Sequence, residues 1–434
     1  MLIEFSVGNF RSFKEVTTLS MWAANLKSKD NPVYTENVFE ATPKYTLLKS
    51  MALFGANASG KSNLVKAFFA LASTVSHSAV NENWLSEYIT PFSLSEETAE
   101  KPSFFEMVFI LNGVIYRYGF EATKHEVVSE WLYGRRTTQE SYYFKRKKQE
   151  VKINTRHFNE AAPFAKNKLF HPYALFISSV SEFNKAGVAA QIANYISEIG
   201  VISGIDDEAM NIAVNAFMQD NKNRAKAISL LIEADIAIEN VLPSATKQKL
   251  HPEIKKLIDR GIIDLPEGLP YKSYRKRYSN RGDVAGTVEA DFEEFESEGT
   301  QHFFKLCAFI LDTLEHGKIL VIDEFDARLH PKLSRKIVSL FNMPHTNPHN
   351  AQLIFTSHNV TLLNPYLLRR DQICFVEKNR YGVSSLVNMA EYDIKDLRQS
   401  FEKAYMMDKF GATPWVEGLD ITVEKLLSTN EPKD

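Results

Sequence analysis

The sequence predicts an α/β fold with a mixed-sheet core, an antiparallel β subdomain and a helical insertion. Three observations support this class. A glycine-rich loop beginning at Gly55 stands between an apolar strand and a helix. The apolar runs in "KILVIDEFD" and "AQLIFTSHN" end in polar residues, as central parallel strands do. Residues 2–24 alternate apolar and polar positions, and residues 104–121 form two such runs around Asn112-Gly113, which indicates a hairpin.

Composition limits the function classes. The 434 residues suffice for two or three subdomains, and 44% hydrophobic with 24% charged residues is typical of a folded protein. A net charge of −3 gives no general attraction to polyanions, so nucleic-acid binding would need a local patch. Cys307 and Cys374 lie apart in apolar runs, which disfavours a disulfide framework or a zinc site. Because neither a signal peptide nor an 18-residue apolar run is visible, we expect a cytoplasmic protein without a membrane span.

The patterns divide the chain into four segments. Residues 1–180 hold the N-terminal strands, the glycine-rich loop and the β subdomain. Residues 181–285 change to helical periodicity in "AAQIANYISEI" and "RAKAISLLIEADIAIENVL", which predicts a helical insertion. Residues 286–415 form a C-terminal lobe with the remaining core strands, and residues 416–434 are a polar tail that we expect to be flexible.

The loop "GANASGKS" matches the phosphate-binding pattern G-x-x-x-x-G-K-[ST]. Its glycines let backbone N–H groups turn toward phosphate oxygens, and the following helix adds the positive end of its dipole. Lys61 would bridge the β- and γ-phosphates of ATP, and Ser62 would bind Mg²⁺. The predicted nucleotide ligands from this loop are Gly55, Asn57, Ser59, Gly60, Lys61, Ser62 and Asn63.

Two further strand ends carry candidate catalytic groups. Asp323 would hold the Mg²⁺ ion, and Glu324 would orient and deprotonate the attacking water. A small-molecule kinase would not need that glutamate, because its substrate hydroxyl is the nucleophile. His358 ends the next apolar strand and could hydrogen-bond the γ-phosphate. The plainer alternatives are a solvated carboxylate pair and a surface histidine.

The signature segment, "SEGTQ" at residues 297–301, opens an apolar helix far from the phosphate loop. Exposed backbone N–H groups at the start of a helix can bind phosphate. A single phosphate loop does not need this second phosphate-binding element. Two copies facing head to tail could each supply Ser297 to the other's γ-phosphate. The order of "GANASGKS", "SEGTQ", "ILVIDEFD", "DARLH" and "TSHN" resembles the ATP-binding cassette (ABC) ATPase heads, closest to the branch with SMC-like and RecF-like proteins. "NFRSF" at 9–13 is similar to that branch's N-terminal strand motif.

A narrower resemblance covers residues 1 to about 415. "PFSL", "DEFDARLHP", "LRRDQICFVEK" and "EKAYMMDKFGATP" resemble the RloA/AbiL-type AAA family ATPases of bacterial phage-defence and abortive-infection loci. This implies a P-loop ABC-type ATPase head that forms at least a head-to-tail homodimer and controls a separate nuclease or toxin. It also implies that Ser297 and Gly299 contact the partner's γ-phosphate and that Asp326 couples the two sites. Arg11 and Phe13 would lie near the base or phosphates.

Departures and alternatives remain. No clear glutamine loop precedes Ser297, and Glu298 stands where many transporters carry glycine. A RecF/SMC-like DNA repair or recombination ATPase is the competing function. DNA could bind "YKSYRKRYSNR" (271–281), aided by "KRKK" (145–148), although an exposed loop is the plainer interpretation. The arginine pair Arg369-Arg370 could reach ATP across a dimer or simply flank a strand. The acidic run 289–298 could suggest a metal site, but a solvated strand is simpler.

Overall fold

The structure, a computed structural model, describes residues 1–26, 31–136, 139–203, 207–234, 237–244, 271–392, 400–414 and 418–428. The predicted insertion therefore lies partly outside the described residues, at 204–206, 235–236 and 245–270, and so does the predicted tail at 416–417 and 429–434. No helix in the described ranges combines the length and the apolar composition needed to cross a bilayer.

Eighteen strands and thirteen α-helices are described. The strands β1 to β18, in chain order, are Leu2–Gly8, Thr17–Ser20, Val38–Thr42, Tyr45–Leu48, Ser50–Phe54, Ser103–Leu111, Val114–Ala122, Val127–Arg135, Ser141–Lys147, Glu150–Ile153, Gly200–Ile202, Asn240–Pro243, Tyr271–Tyr278, Val284–Asp291, Ile319–Ile322, Gln352–Thr356, Ile373–Lys378 and Ser384–Asn388. The helices are Val33–Glu36, Lys61–His77 (the P-loop helix), Trp84–Tyr88, Ala162–Asn167, Phe176–Phe183, Val188–Ser197, Asp207–Gln219, Asn221–Glu233, Phe292–Phe295, Glu298–His316 (the signature helix), Pro331–Asn342, Phe401–Met406 and Leu419–Ser428.

The central sheet has the strand order β11-β15-β16-β5-β17-β18. Its first five strands are parallel, and β18 pairs antiparallel at the edge. Strands β5, β15 and β16 are buried at every residue, which explains their continuous apolar sequences. Since parallel strands end at the same edge, the segments that follow β5, β15 and β16 meet there.

A seven-stranded antiparallel sheet, in the order β10-β9-β8-β7-β6-β1-β2, forms the second layer. Strands β6 and β7 make the predicted hairpin, in which Leu111 pairs with Val114. The two turn residues, Asn112 and Gly113, both have positive φ, as the tight hairpin turns require. The α/β class with a mixed core and an antiparallel β subdomain is thereby confirmed.

The interval 181–285 differs from the helical insertion that we predicted. It contains helices, but strand β11 belongs to the central sheet beside β15. Strands β12 and β13, with β14, form a separate three-stranded sheet. The basic stretch 271–281 is therefore mostly strand β13 instead of a loop, because it pairs with β14 over seven residue pairs from Lys272 to Tyr278.

Buried side-chain amides join the two large sheets. The Gln352 side chain, at the start of β16, accepts a hydrogen bond from the Leu2 N–H at 2.6 Å. Its Nε2 donates to the carbonyl oxygens of Leu2 and Leu48 at 3.0 and 3.2 Å. The strand β1 of the antiparallel sheet is thus fixed directly against the core of the central sheet.

Candidate nucleotide-binding site

The phosphate loop follows β5 and opens the P-loop helix, as its sequence predicts. Gly55 and Gly60 have φ values of 155° and 117°, which side chains rarely allow. A Cβ atom at Gly55 would clash with the Val376 carbonyl oxygen, and one at Gly60 would clash with the Ser384 hydroxyl. Both glycines are therefore required by close packing of β17 and β18 against the outside of the loop.

Lys61 lies inside the loop and is only 5% exposed. Its Nζ donates hydrogen bonds to the carbonyl oxygens of Gly55 at 2.8 Å and Ala56 at 3.0 Å. Burial lowers the pKa of Lys61, while the charges of Asp323 and Glu324 oppose that shift. The ammonium group is thus held where a phosphate oxygen could replace the two carbonyl partners.

A cavity of about 450 Å³ opens beside the loop. It brings together residues from the ends of β5, β15, β16 and β17. The lining residues are Asn57, Ala58, Ser59, Gly60, Lys61, Ser62, Asn63, Glu324, His358 and Lys378. Most of the predicted loop ligands, the predicted base and the predicted histidine therefore share one cavity.

Asp323 and Glu324 follow β15 and are positioned by Thr356, a buried residue at the end of β16. The Thr356 hydroxyl donates to Asp323 Oδ1 at 2.6 Å and accepts from the Glu324 N–H at 2.7 Å. Glu324 has φ of 48°, a conformation that costs energy for a residue with a side chain. This tight turn directs Glu324 to the cavity, and Thr356 holds it there.

His358 lies two residues beyond β16 with an exposed side chain. Its pKa is lowered, first by desolvation and then by the charge of Lys61, although Glu324, Asp326 and Asp323 raise it. The imidazole is therefore neutral at pH 7 and can offer one N–H donor.

Ser297 is the N-cap of the signature helix. Its exposed hydroxyl accepts from the Thr300 N–H at 3.2 Å. A Cβ atom at Gly299 would clash with the Arg328 carbonyl oxygen at 2.7 Å, so the segment packs against the loop that follows Asp326. Neither Ser297 nor Gly299 lines the cavity of its own chain. The helix ends at His316, and Gly317, with a φ of 65°, is its C-cap.

Comparison with known proteins identifies the family. Residues 50–364 match the family model described as "AAA domain, putative AbiEii toxin, Type IV TA system". The chain belongs to this AAA-domain family. No curated protein matches the chain.

Two solved structures are similar to this chain at low sequence identity. The SMC head domain from Thermotoga maritima is 15% identical, with a TM-score of 0.40 over 89% of this chain and 98% of that chain. The SmcHead bound to the C-winged helix domain of ScpA is 15% identical, with a TM-score of 0.37 over 93% of this chain and 99% of that chain.

The structure places Arg11 and Phe13, the two residues predicted near the nucleotide, beside the cavity lining but not in it. Phe13 has no exposed surface and packs in the core, so it cannot stack on a base. Arg11 has a left-handed φ of 50°, and its N–H donates to the Thr90 carbonyl at 2.8 Å. Neither lines the cavity. The hairpin-like turn of Phe10 onto Phe13 turns the Phe13 ring inward, and this turn was not evident from the motif.

The residue between them supports the loop instead. The Ser12 hydroxyl accepts from Asn63 Nδ2 at 2.8 Å, and the Ser12 carbonyl accepts from the Ser384 N–H at 2.7 Å. Ser384 in turn donates from its hydroxyl to the Ser59 carbonyl at 2.5 Å. Ser12 and Ser384 are both buried. These supports could not be predicted from the sequence, because single serines give no recognisable signal.

The basic stretches are partly neutralised by ion pairs. Within 271–281, Lys272, Arg275 and Lys276 pair with Asp291, Glu296 and Glu239, respectively. In 145–148, Arg146 is fully buried against Glu130, and Lys148 pairs with Glu126. These pairs reduce the charge available for a phosphate backbone.

The structure bears on two alternatives that the sequence leaves open. Arg369 is buried, and it binds Asp371 and the carbonyl oxygens of Tyr34 and Ala24, so it cannot reach another chain. In the acidic run 289–298, Glu296 is committed to Arg275. No group of three or more acidic, histidine or cysteine side chains in the described part of the chain is arranged to hold a metal ion.

Proposed function

We propose that this protein is an ATP-binding and ATP-hydrolysing switch that works as a head-to-tail dimer and controls a separate effector in antiphage defence. One observation carries the proposal: the loop residues 57–63, Glu324 and His358 line the same cavity. A lysine loop alone binds phosphate, but a carboxylate and a neutral imidazole in the same cavity suit hydrolysis.

Each residue of the cavity would have a separate role in ATP hydrolysis. Lys61 exchanges its carbonyl partners for the β- and γ-phosphate oxygens. Glu324 takes a proton from the water that attacks the γ-phosphorus, so the bond to the ADP oxygen breaks and inorganic phosphate forms. His358 donates its N–H to the γ-phosphate. Water positioning by Glu324 depends on Thr356, which holds its backbone.

Ser62 and Asp323 would hold a Mg²⁺ ion. The hydroxyl of Ser62 and the carboxylate of Asp323 are hard oxygen donors, the kind that Mg²⁺ prefers, and Thr356 already orients the carboxylate through Oδ1. The ion would neutralise phosphate charge.

A second copy would complete the site. Ser297 is exposed at the start of a 19-residue helix, yet it does not contact its own cavity. A partner's γ-phosphate is the anion that such a helix start would accept. Because Gly299 packs on the loop after Asp326, movement of the signature segment would displace that neighbouring catalytic loop.

The cellular setting follows from similarity. The family description names a putative AbiEii toxin and a type IV toxin–antitoxin system, and the motifs resemble RloA/AbiL-type ATPases. We therefore place the switch beside a nuclease or toxin effector. The RecF/SMC-like DNA ATPase is less favoured, because the ion pairs of Lys272, Arg275 and Lys276 weaken the basic stretch that it would use.

Phosphate release measured across protein concentrations tests the proposal. A dimeric site gives turnover per chain that rises with concentration and then saturates, and Lys61→Met should abolish it. Full ATP turnover by a monomer, independent of protein concentration, would contradict the proposed dimer. Co-purification from the native locus with and without ATP then tests the effector.

A further inference from the structure

Lys378 is a cation of the cavity that no motif predicted. It is the last residue of β17, its side chain is exposed, and it lines the cavity together with Lys61, Glu324 and His358. No salt bridge to Lys378 is found among the described residues. Its ammonium group is therefore available to a ligand in the cavity.

The backbone of Lys378 is fixed relative to the phosphate loop. Lys378 pairs with Ser384 across the β17–β18 hairpin. Ser384 is buried and donates its hydroxyl hydrogen to the Ser59 carbonyl in the loop. Two residues before Lys378, the Val376 carbonyl packs against Gly55. The loop and the base of the Lys378 side chain thus form one rigid unit.

Lys378 is the second lysine of the cavity lining. Apart from Lys378, its ionisable side chains are Lys61, Glu324 and His358, and the histidine has a lowered pKa. Glu324 opposes the charge of Lys61 in the lining, so Lys378 adds to the positive charge that the loop N–H groups, the helix dipole and a bound Mg²⁺ ion would offer a polyphosphate.

We propose that Lys378 is a second phosphate-binding lysine, which contacts the polyphosphate chain of the nucleotide from the β17 side of the loop. The proposal rests on the proposed nucleotide function and adds a specificity residue to that site. It assigns Lys378 to the phosphates and not to the base, since the neighbouring strand residues Ser384 and Val376 pack on Ser59 and Gly55 of the phosphate loop.

The test measures binding of ATP and of inorganic triphosphate, each with Mg²⁺, by calorimetry. Lys378→Gln should weaken both ligands about tenfold to a hundredfold, because a charge-assisted contact is lost. Lys378→Arg should regain most of the affinity, because the charge returns. Arg380→Gln is the matched control: this exposed residue on the same hairpin bonds Tyr381 and does not line the cavity. It should bind both ligands like the wild type.

The outcomes separate the two proposals. Wild-type affinity in Lys378→Gln, together with lost binding in Lys61→Met, overturns the role of Lys378 and keeps the nucleotide site. Weaker ATP binding with unchanged triphosphate binding also overturns it, because the contact would then lie on the nucleoside. If the wild type binds neither ligand, both proposals fall.

Discussion

Arg275 and Glu296 form an ion pair that anchors the residue directly before Ser297. The Glu296 carboxylate is buried and accepts hydrogen bonds from Arg275, with Nε at 3.0 Å from Oε1. Gln301 Nε2 donates to the Glu296 carbonyl at 2.9 Å. Strand β13 and the signature helix are thereby joined at the point where the proposed partner phosphate would bind.

Arg275→Ala should therefore loosen the signature segment. It leaves a buried carboxylate without its cation, which we expect to lower the free energy of unfolding by about 1–3 kcal/mol. ATP-dependent dimerisation should weaken, while ATP binding to the monomer stays intact. Urea denaturation and size analysis measure the two effects. Arg277→Ala is the control, since this residue of the same strand is exposed. Equal behaviour of both variants would contradict the anchoring role.

Glu324→Gln should preserve ATP binding and abolish efficient turnover. The amide keeps the shape of the side chain but cannot accept the water proton, so we expect phosphate release to fall about 10²–10⁴-fold. Size analysis with ATP should show an accumulated dimer. Glu150→Gln, an exposed neutralisation on the edge strand β10 of the antiparallel sheet, serves as a charge control for turnover. Normal turnover in Glu324→Gln would remove the assignment of the base.

Ser297→Arg should block dimer closure without affecting ATP binding by one chain. The side chain is exposed at the helix start, so the substitution should fold normally. We expect the ATP-dependent size shift to disappear and turnover to fall with it. Asn280→Arg adds the same charge at an exposed turn and should retain the shift. An intact shift in Ser297→Arg would show that dimers form through another surface.

Thr356→Val tests the support of the catalytic turn. The change keeps the volume of a fully buried side chain but removes the hydroxyl that bonds Asp323 and Glu324. We expect turnover to fall about tenfold or more, because a base displaced from its water loses much of its contribution. Thr356→Ser restores the hydroxyl and should recover turnover. If both variants turn over equally well, the hydroxyl does not position the base.

His358 should titrate below its ordinary range. Desolvation and the charge of Lys61 lower its pKa. Since the unfolded chain then binds more protons than the native state, this group makes stability fall as pH drops through the ordinary histidine pKa. NMR titration of the ring should show a higher pKa in Lys61→Met and a lower one in Glu324→Gln. The opposite directions would place the ring away from these charges.

The strands and the phosphate site were predictable because their signals are local. Buried parallel strands have continuous apolar sequences, and the phosphate loop is recognised by the spacing of its glycines. The burial of Arg369 could not be predicted because its partners are distant in sequence: Arg369 bonds Tyr34, 335 positions away. Lys378 and Ser384 were missed for the same reason. Neither residue belongs to a recognisable motif, and only the strand order shows that β17 lies beside β5.

The position of β5 between β16 and β17 has a consequence for biosynthesis. Gln372 Nε2 bonds the Ser50 carbonyl across 322 positions, so the loop emerges from the ribosome long before its neighbours exist. At about 5–20 residues per second, translation of that interval takes roughly 16–64 s. During this time the nascent chain has no completed nucleotide site. Translation interrupted before β17 would therefore yield fragments that lack the β17 side of the phosphate loop.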